Sequence, residues 1–177
     1  MHRNLGKWEL DDYKTMIKDL IKKGIADPTK IAITGFSYGG YMTCLALTKG
    51  SDVFTHGMAG GSVTSWKLYD SAYTERFMDT PQENAEGYEN GGILKYVDNY
   101  KGKLLIVHGT MDDNVHLQNS VQLIDALQEK KKDFEMMFYP GGRHGWGGNK
   151  GLHFDNLKTQ FIYKNLLEKE LPAGLLR

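Results

Sequence analysis

The chain carries a single cysteine in 177 residues, no net charge, and no apolar run long enough to cross a membrane. Cys44 alone excludes a disulfide within the chain. Lying among Met42, Leu45 and Leu47, it reads as a core residue and leaves the redox compartment open. Lys and Arg number 22 against 22 Asp and Glu, so there is no electrostatic footprint for nucleic acid or an anionic membrane. The one like-charge run, Lys130-Lys131-Lys132, closes an amphipathic stretch and suits a helix C-terminus. The first residues show no apolar signal-peptide core. What is present is an ordinary globular composition, 40% hydrophobic and 25% charged, sized for one core rather than two domains.

Apolar spacing predicts a helix over 8–23 with Tyr13, Met16, Ile17, Leu20 and Ile21 on its buried face, stopped by Gly24 and turned at Asp27-Pro28. Ile31–Thr34 reads as a buried strand, followed by a sharp turn over 35–40 and a helix over 41–49. Val53–Ala59 is a second strand, Leu104–Val107 a third and Phe134–Tyr139 a fourth. Leu117, Val121, Ile124 and Leu127 mark one further helix; Phe154, Leu157, Phe161 and Leu166 mark another over 152–169. Residues 62–100, rich in Trp, Tyr, Glu and Asn, read as short irregular helices forming a cap or pocket wall. Strands alternating with helices predict an α/β fold, about four parallel strands covered on both faces.

Gly35-Phe36-Ser37-Tyr38-Gly39 fits the G-x-S-x-G nucleophile elbow, with a strand before it and a helix after it. The serine stands where a strand turns abruptly, so flanking glycines avoid backbone clashes, and the Tyr38 N–H faces the developing oxyanion. A phosphate-cradling loop would place Lys after the glycines, where Tyr41 stands. A serine at its ordinary pKa needs a base oriented by a third group, in this fold in the order Ser, acid, His. The third strand leads into Asp112-Asp113 and the fourth into His144. His2 and His153 lie far from strand ends, His56 falls inside a strand, and His108 precedes the acid, which leaves His144 as the best base. His108, Asp112, Asp113 and His116 form an alternative metal cluster, but without the tight helical or C-x-x-C spacing of zinc sites.

Three spaced motifs, Gly35–Tyr41, Trp66–Arg76 (WKLYDSAYTER) and His108–His116 (HGTMDDNVH), together resemble the catalytic domain of the dipeptidyl-peptidase-IV-like branch of the prolyl oligopeptidase family of serine peptidases. The resemblance runs from Arg3 to the last helix. It implies a triad of Ser37, Asp112 and His144, and chooses Asp112 over Asp113. It also implies a substrate-carbonyl contact from Asn114 and a proline pocket lined by Tyr38, Val63, Trp66, Tyr69, Tyr73 and Val115. Phe36 stands where close relatives carry Trp, and the Gly-rich loop around His144 suggests a mobile base.

The fold implied is the C-terminal portion of an α/β-hydrolase. On that reading residues 1–177 form a partial peptidase domain, lacking N-terminal strands, a loop supplying a second oxyanion donor (a tyrosine), and an amine-binding β-propeller. The implied activity is release of N-terminal dipeptides with proline or alanine before the scissile bond, without metal or cofactor. Acylaminoacyl peptidase, tripeptidyl aminopeptidase and esterase share the fold as alternatives; an inactive hydrolase-like interaction domain is the non-enzyme alternative. An isolated chain of this kind is expected to have little activity and to self-associate through an unpaired edge at Ile31–Thr34. Localisation stays open in the sequence, although the resemblance points to a periplasmic or extracytoplasmic parent.

Overall fold

A computed structural model describes residues 2–176. Four parallel strands form one sheet in the order β1 (Ala32–Phe36), β2 (His56–Gly60), β3 (Lys103–Gly109), β4 (Glu135–Tyr139). Helices α1 (Lys7–Lys22) and α2 (Tyr38–Thr48) bracket β1, α5 (Gln118–Glu129) joins β3 to β4, and α6 (Gly148–Phe161) follows β4, ending in a π-helical stretch over Ile162–Leu167. Between β2 and β3 lie two short α-helices, α3 (Ser71–Met78) and α4 (Ala85–Asn90), flanked by 3₁₀ turns at Trp66–Leu68 and Leu94–Asn99.

Successive strand side chains face opposite sides of the sheet. Leu104 and Ile106 of β3 therefore join the larger core with Leu45, Leu47 and Leu123, while Leu105 and Val107 join a second core with Met58, Tyr139 and Phe161 under α6. Both faces are covered, which is why β3 reads as an unbroken apolar run.

Three expectations change. The inward face of α1 carries buried Leu10 with Ile17 and Ile21 partly buried, the last two as expected, whereas Tyr13 and Met16 are exposed. The strand β1 is not buried: among the described residues it pairs only with β2, and Ala32 and Thr34 are exposed while Ile31, just before it, is buried. In α5 the inward residues are Leu123, Ile124 and Leu127, with Val121 turned out. The fold makes one end of the sheet functional, because β1, β3 and β4 each run directly into a loop bearing one polar candidate.

Candidate active site

Ser37 closes β1 with φ 59 and ψ −120, a positive φ forced on a non-glycine residue. Its N–H donates to the Gly60 carbonyl at 2.8 Å, which ties the elbow to β2. A Cβ on Gly35 would stand 2.3 Å from the Gly39 backbone, so the strand and the helix start approach too closely for any side chain there. Gly39 itself has open space around a built Cβ, whereas one on Gly40 would meet the Gly60 carbonyl and Ser62 Oγ at 2.4 Å. The steric requirement therefore falls on Gly35 and Gly40, not on both flanks of the serine.

The three polar loops converge. Ser37 Oγ and His144 Nε2 are 2.9 Å apart, and His144 Nδ1 and Asp112 Oδ2 are 2.8 Å apart. A carboxylate only accepts, so Nδ1 carries the proton and Nε2 is free to accept from the serine. Asp112 is buried; its other oxygen accepts the N–H groups of Asn114 (3.0 Å) and Val115 (2.9 Å). The approach of the acid and base loops depends on Gly109, where a Cβ would meet the Gly142 and Arg143 carbonyls at 2.3 and 2.4 Å. Phe36 packs edge-on to the His144 ring, 5.3 Å between centroids.

His108, set aside as a base by its place in the chain, supports the acid. Fully buried, it lies 2.8 Å from the Val115 carbonyl through Nε2 and 2.7 Å from Ser120 Oγ through Nδ1. The carbonyl fixes the proton on Nε2, which also lies 3.3 Å from Asp112 Oδ2. Desolvation lowers the His108 pKa, in keeping with this neutral tautomer. His116 is exposed and Asp113 pairs on the surface with Arg143 at 2.9 Å. Among the described residues no group of three His, Cys, Asp or Glu side chains could hold a metal ion, so His108, Asp112, Asp113 and His116 do not form the alternative cluster. Cys44, its pKa pushed up to about 12 by burial, is a core thiol.

Beside Ser37 lies a cavity of about 70 Å³, lined by Tyr38, Val63, Trp66, Tyr69 and Tyr73. Val63 and Trp66 are buried; Tyr73 stacks on Trp66 at 6.3 Å and 17°, and Tyr69 meets Tyr73 edge-on at 5.3 Å. Sites for drug-sized ligands run to roughly 300–1,000 Å³, so this one takes a single small apolar group. Val115 does not line it: its side chain is wholly buried in the core, and its backbone holds Asp112. Asn114 stands at the rim, its Oδ1 accepting from the Tyr69 hydroxyl at 2.7 Å, which leaves the amide N–H groups to donate. A groove of about 500 Å³ continues from Tyr69 and Asn114 past Asp70 and His116.

The family model described as "Prolyl oligopeptidase family" matches residues 1–169. The chain belongs to the prolyl oligopeptidase family. It is 40% identical over 165 residues to prolyl endopeptidase FAP of Homo sapiens, covering 92% of this chain and 22% of that protein. Identity to dipeptidyl peptidase 4 of Sus scrofa is 42% over 152 residues, 84% of this chain and 20% of the relative. The crystal structure of Porphyromonas gingivalis dipeptidyl peptidase 4 superposes with a TM-score of 0.90 at 40% identity, over 93% of this chain and 24% of that one. The chain thus spans about a fifth of the length of these curated relatives.

Proposed function

We propose that this chain carries the catalytic centre of a serine peptidase that cleaves after proline or alanine and releases N-terminal dipeptides. The observation that carries the reading is the relay from Ser37 through His144 to Asp112 at 2.9 and 2.8 Å, opening beside a small aromatic cavity. Dipeptidyl peptidase 4 and prolyl endopeptidase FAP are among the relatives, which supports the substrate class.

The chemistry follows from the geometry. His144 Nε2 takes the Ser37 proton as Oγ attacks the substrate carbonyl. Asp112 holds the imidazole and offsets its developing charge. The first N–H groups of a helix have no intrahelical acceptor, so the Tyr38 N–H at the start of α2 is available to the oxyanion. His144 then gives its proton to the departing amine, and water cleaves the acyl-enzyme by the same route in reverse. A compact pyrrolidine ring packs between aromatic faces without asking for hydrogen bonds, which suits the cavity formed by Val63, Trp66, Tyr69 and Tyr73. Asn114 is placed to donate to a carbonyl on the substrate's N-terminal side.

The reading also takes residues 1–177 as the C-terminal portion of a longer hydrolase domain, with N-terminal strands, a second oxyanion donor and an amine-binding β-propeller contributed by further sequence. The one-sided pairing of β1 and the share of the relatives spanned support it. Removing one oxyanion donor costs about 100- to 1,000-fold in turnover, so the 177-residue chain alone is expected to turn peptides over slowly. The open edge of β1 further leads us to infer self-association; a clean monomer by light scattering at high concentration counts against that.

The deciding experiment is covalent labelling. An Xaa-Pro diphenyl phosphonate should modify the chain at Ser37, with Ser37→Ala unmodified. Equal modification of Ser37→Ala would sink the nucleophile assignment, and preference for a bulky aryl or N-acylated reagent would move the reading to an esterase or acylaminoacyl peptidase.

A further inference from the structure

Glu9 lies on α1, outside all three motifs, and the relay does not use it. Its Oε1 nevertheless accepts the Tyr38 phenol at 2.5 Å, across 29 residues of sequence. Its second oxygen, Oε2, is buried and has no hydrogen-bond partner among the described residues. A first-turn glutamate suits the positive end of a helix, but that role is met by a solvated side chain and needs neither burial nor a tyrosine. Burying half a carboxylate without a partner is costly, so the arrangement persists against a local penalty.

Tyr38 is the residue the contact holds. It follows the nucleophile directly, lines the cavity, and packs between Tyr41 (5.4 Å) and Trp66 (5.8 Å, 37°). Ring packing limits the tilt of a tyrosine, yet leaves it free to slide along its own long axis. The Glu9 carboxylate supplies the stop. Desolvation, followed by the hydrogen bond and the charge of Glu9, pushes the Tyr38 phenol far above its ordinary pKa. The phenol therefore stays protonated and goes on donating.

We propose that Glu9 is a positioning residue of the active site: by anchoring the Tyr38 hydroxyl it sets the depth of the cavity beside Ser37, and so the preference for a small ring at that position. The inference rests on the reading of Ser37 as nucleophile and of this cavity as the proline pocket. Without Glu9 the phenol loses its one acceptor among the described residues and Tyr38 drifts, so a proline ring loses its fitted wall while a small reagent that leaves the cavity empty loses little.

The test uses the 177-residue chain and Glu9→Gln, Glu9→Ala, Tyr38→Phe and the Glu9→Ala/Tyr38→Phe double variant. Each is reacted with an Xaa-Pro diphenyl phosphonate and with a small alkyl fluorophosphonate, with near-ultraviolet circular dichroism and melting curves confirming the fold. Glu9→Ala and Tyr38→Phe are each expected to slow the prolyl reagent by about ten- to a hundredfold, the span of a charge-assisted hydrogen bond. In the Glu9 variants the fluorophosphonate should slow by less than about threefold, Glu9→Gln should fall between native chain and Glu9→Ala with the prolyl reagent, and with that reagent the double variant should be no slower than either single. Equal slowing of both reagents, or single effects that multiply in the double variant, would overturn the proposal. Labelling of Ser37→Ala, or native chain inert to the prolyl reagent, would instead indict the reading beneath it. The phenol then decides separately: the tyrosine 13Cζ resonance that disappears in Tyr38→Phe must move in Glu9→Gln and Glu9→Ala, and one that stays in place overturns the proposal.

Discussion

Replacing Trp146 with alanine tests how the base is held. The loop carrying His144 contains Gly145, Gly147 and Gly148, the first and last with φ of 138 and 57, and glycine loses more conformational freedom on ordering than any other residue. The sequence alone suggests a mobile base. In the structure Trp146 opposes that mobility: its indole stacks on Tyr139 at 4.3 Å and 22°, and meets Phe36 and Phe154 edge-on at 5.7 and 5.4 Å. Three aromatic contacts at about 0.5–1.5 kcal/mol each total about 1.5–4.5 kcal/mol favouring the ordered loop. Part of this is absorbed, because His144 keeps its hydrogen bond to Asp112 and its contact with Phe36. The lower half of the range is therefore the expected loss, and at about 1.4 kcal/mol per decade it corresponds to a ten- to hundredfold slower phosphonylation of Ser37. The assay is pseudo-first-order labelling by a small fluorophosphonate, with Ser37→Ala as blank and His144→Ala as the lower limit. If Trp146→Ala labels within twofold of the native chain while His144→Ala does not label, the anchoring role is refuted and Asp112 with Phe36 suffices to hold the base.

The elbow glycines separate by one methyl group. Gly39→Ala is expected to fold normally and gain up to about 1 kcal/mol from helix propensity, whereas Gly35→Ala and Gly40→Ala, each placing Cβ within 2.4 Å of fixed atoms, should lose several degrees of Tm or fail to fold; a harmless Gly40→Ala would refute the close packing of α2 on β2. For His108 the folded pKa lies below the unfolded one, so its contribution to stability is complete above about pH 6.5 and is lost as pH falls below that value. Chemical denaturation from pH 7.5 to 5.5 should show a decline to which this group adds up to about 1.4 kcal/mol per pH unit, flattened by that amount in His108→Phe; parallel slopes would refute it.

Strand positions were legible because β2 and β3 are covered on both faces, which leaves an apolar run no other reading of similar length. The face of α1 was misread in part, at Tyr13 and Met16, for the opposite reason. Tyr13, Met16 and Leu20 form a stripe as apolar as Leu10, Ile17 and Ile21, and only packing against α2 and the core decides between them. Strand β1 misled likewise, since Ala-Ile-Thr is apolar enough for a buried strand, while burial requires a second neighbour.

The relay could be read from the chain because each member ends a strand and the order of loops is fixed by the topology. Its supports could not. Neighbouring strands lie about 4.8 Å apart, so in a sheet ordered β1-β2-β3-β4 the base loop after β4 must reach back over roughly three spacings to meet Ser37. Gly60 and Gly61 at the end of β2 clear that path: a Cβ on Gly60 would strike Phe36 at 2.4 Å, and one on Gly61 would stand 2.9 Å from Phe36 and 3.3 Å from His144 Cε1. In sequence the pair is only a turn signal, as His108 is only a histidine in the wrong order and Glu9 only a first-turn acid. Each acquires its role from contacts with other segments, Gly61 with His144 and Glu9 with Tyr38 among them, and such pairings leave no local periodicity to read. What a motif predicts is the reacting atoms; what holds them in place is written in contacts between motifs.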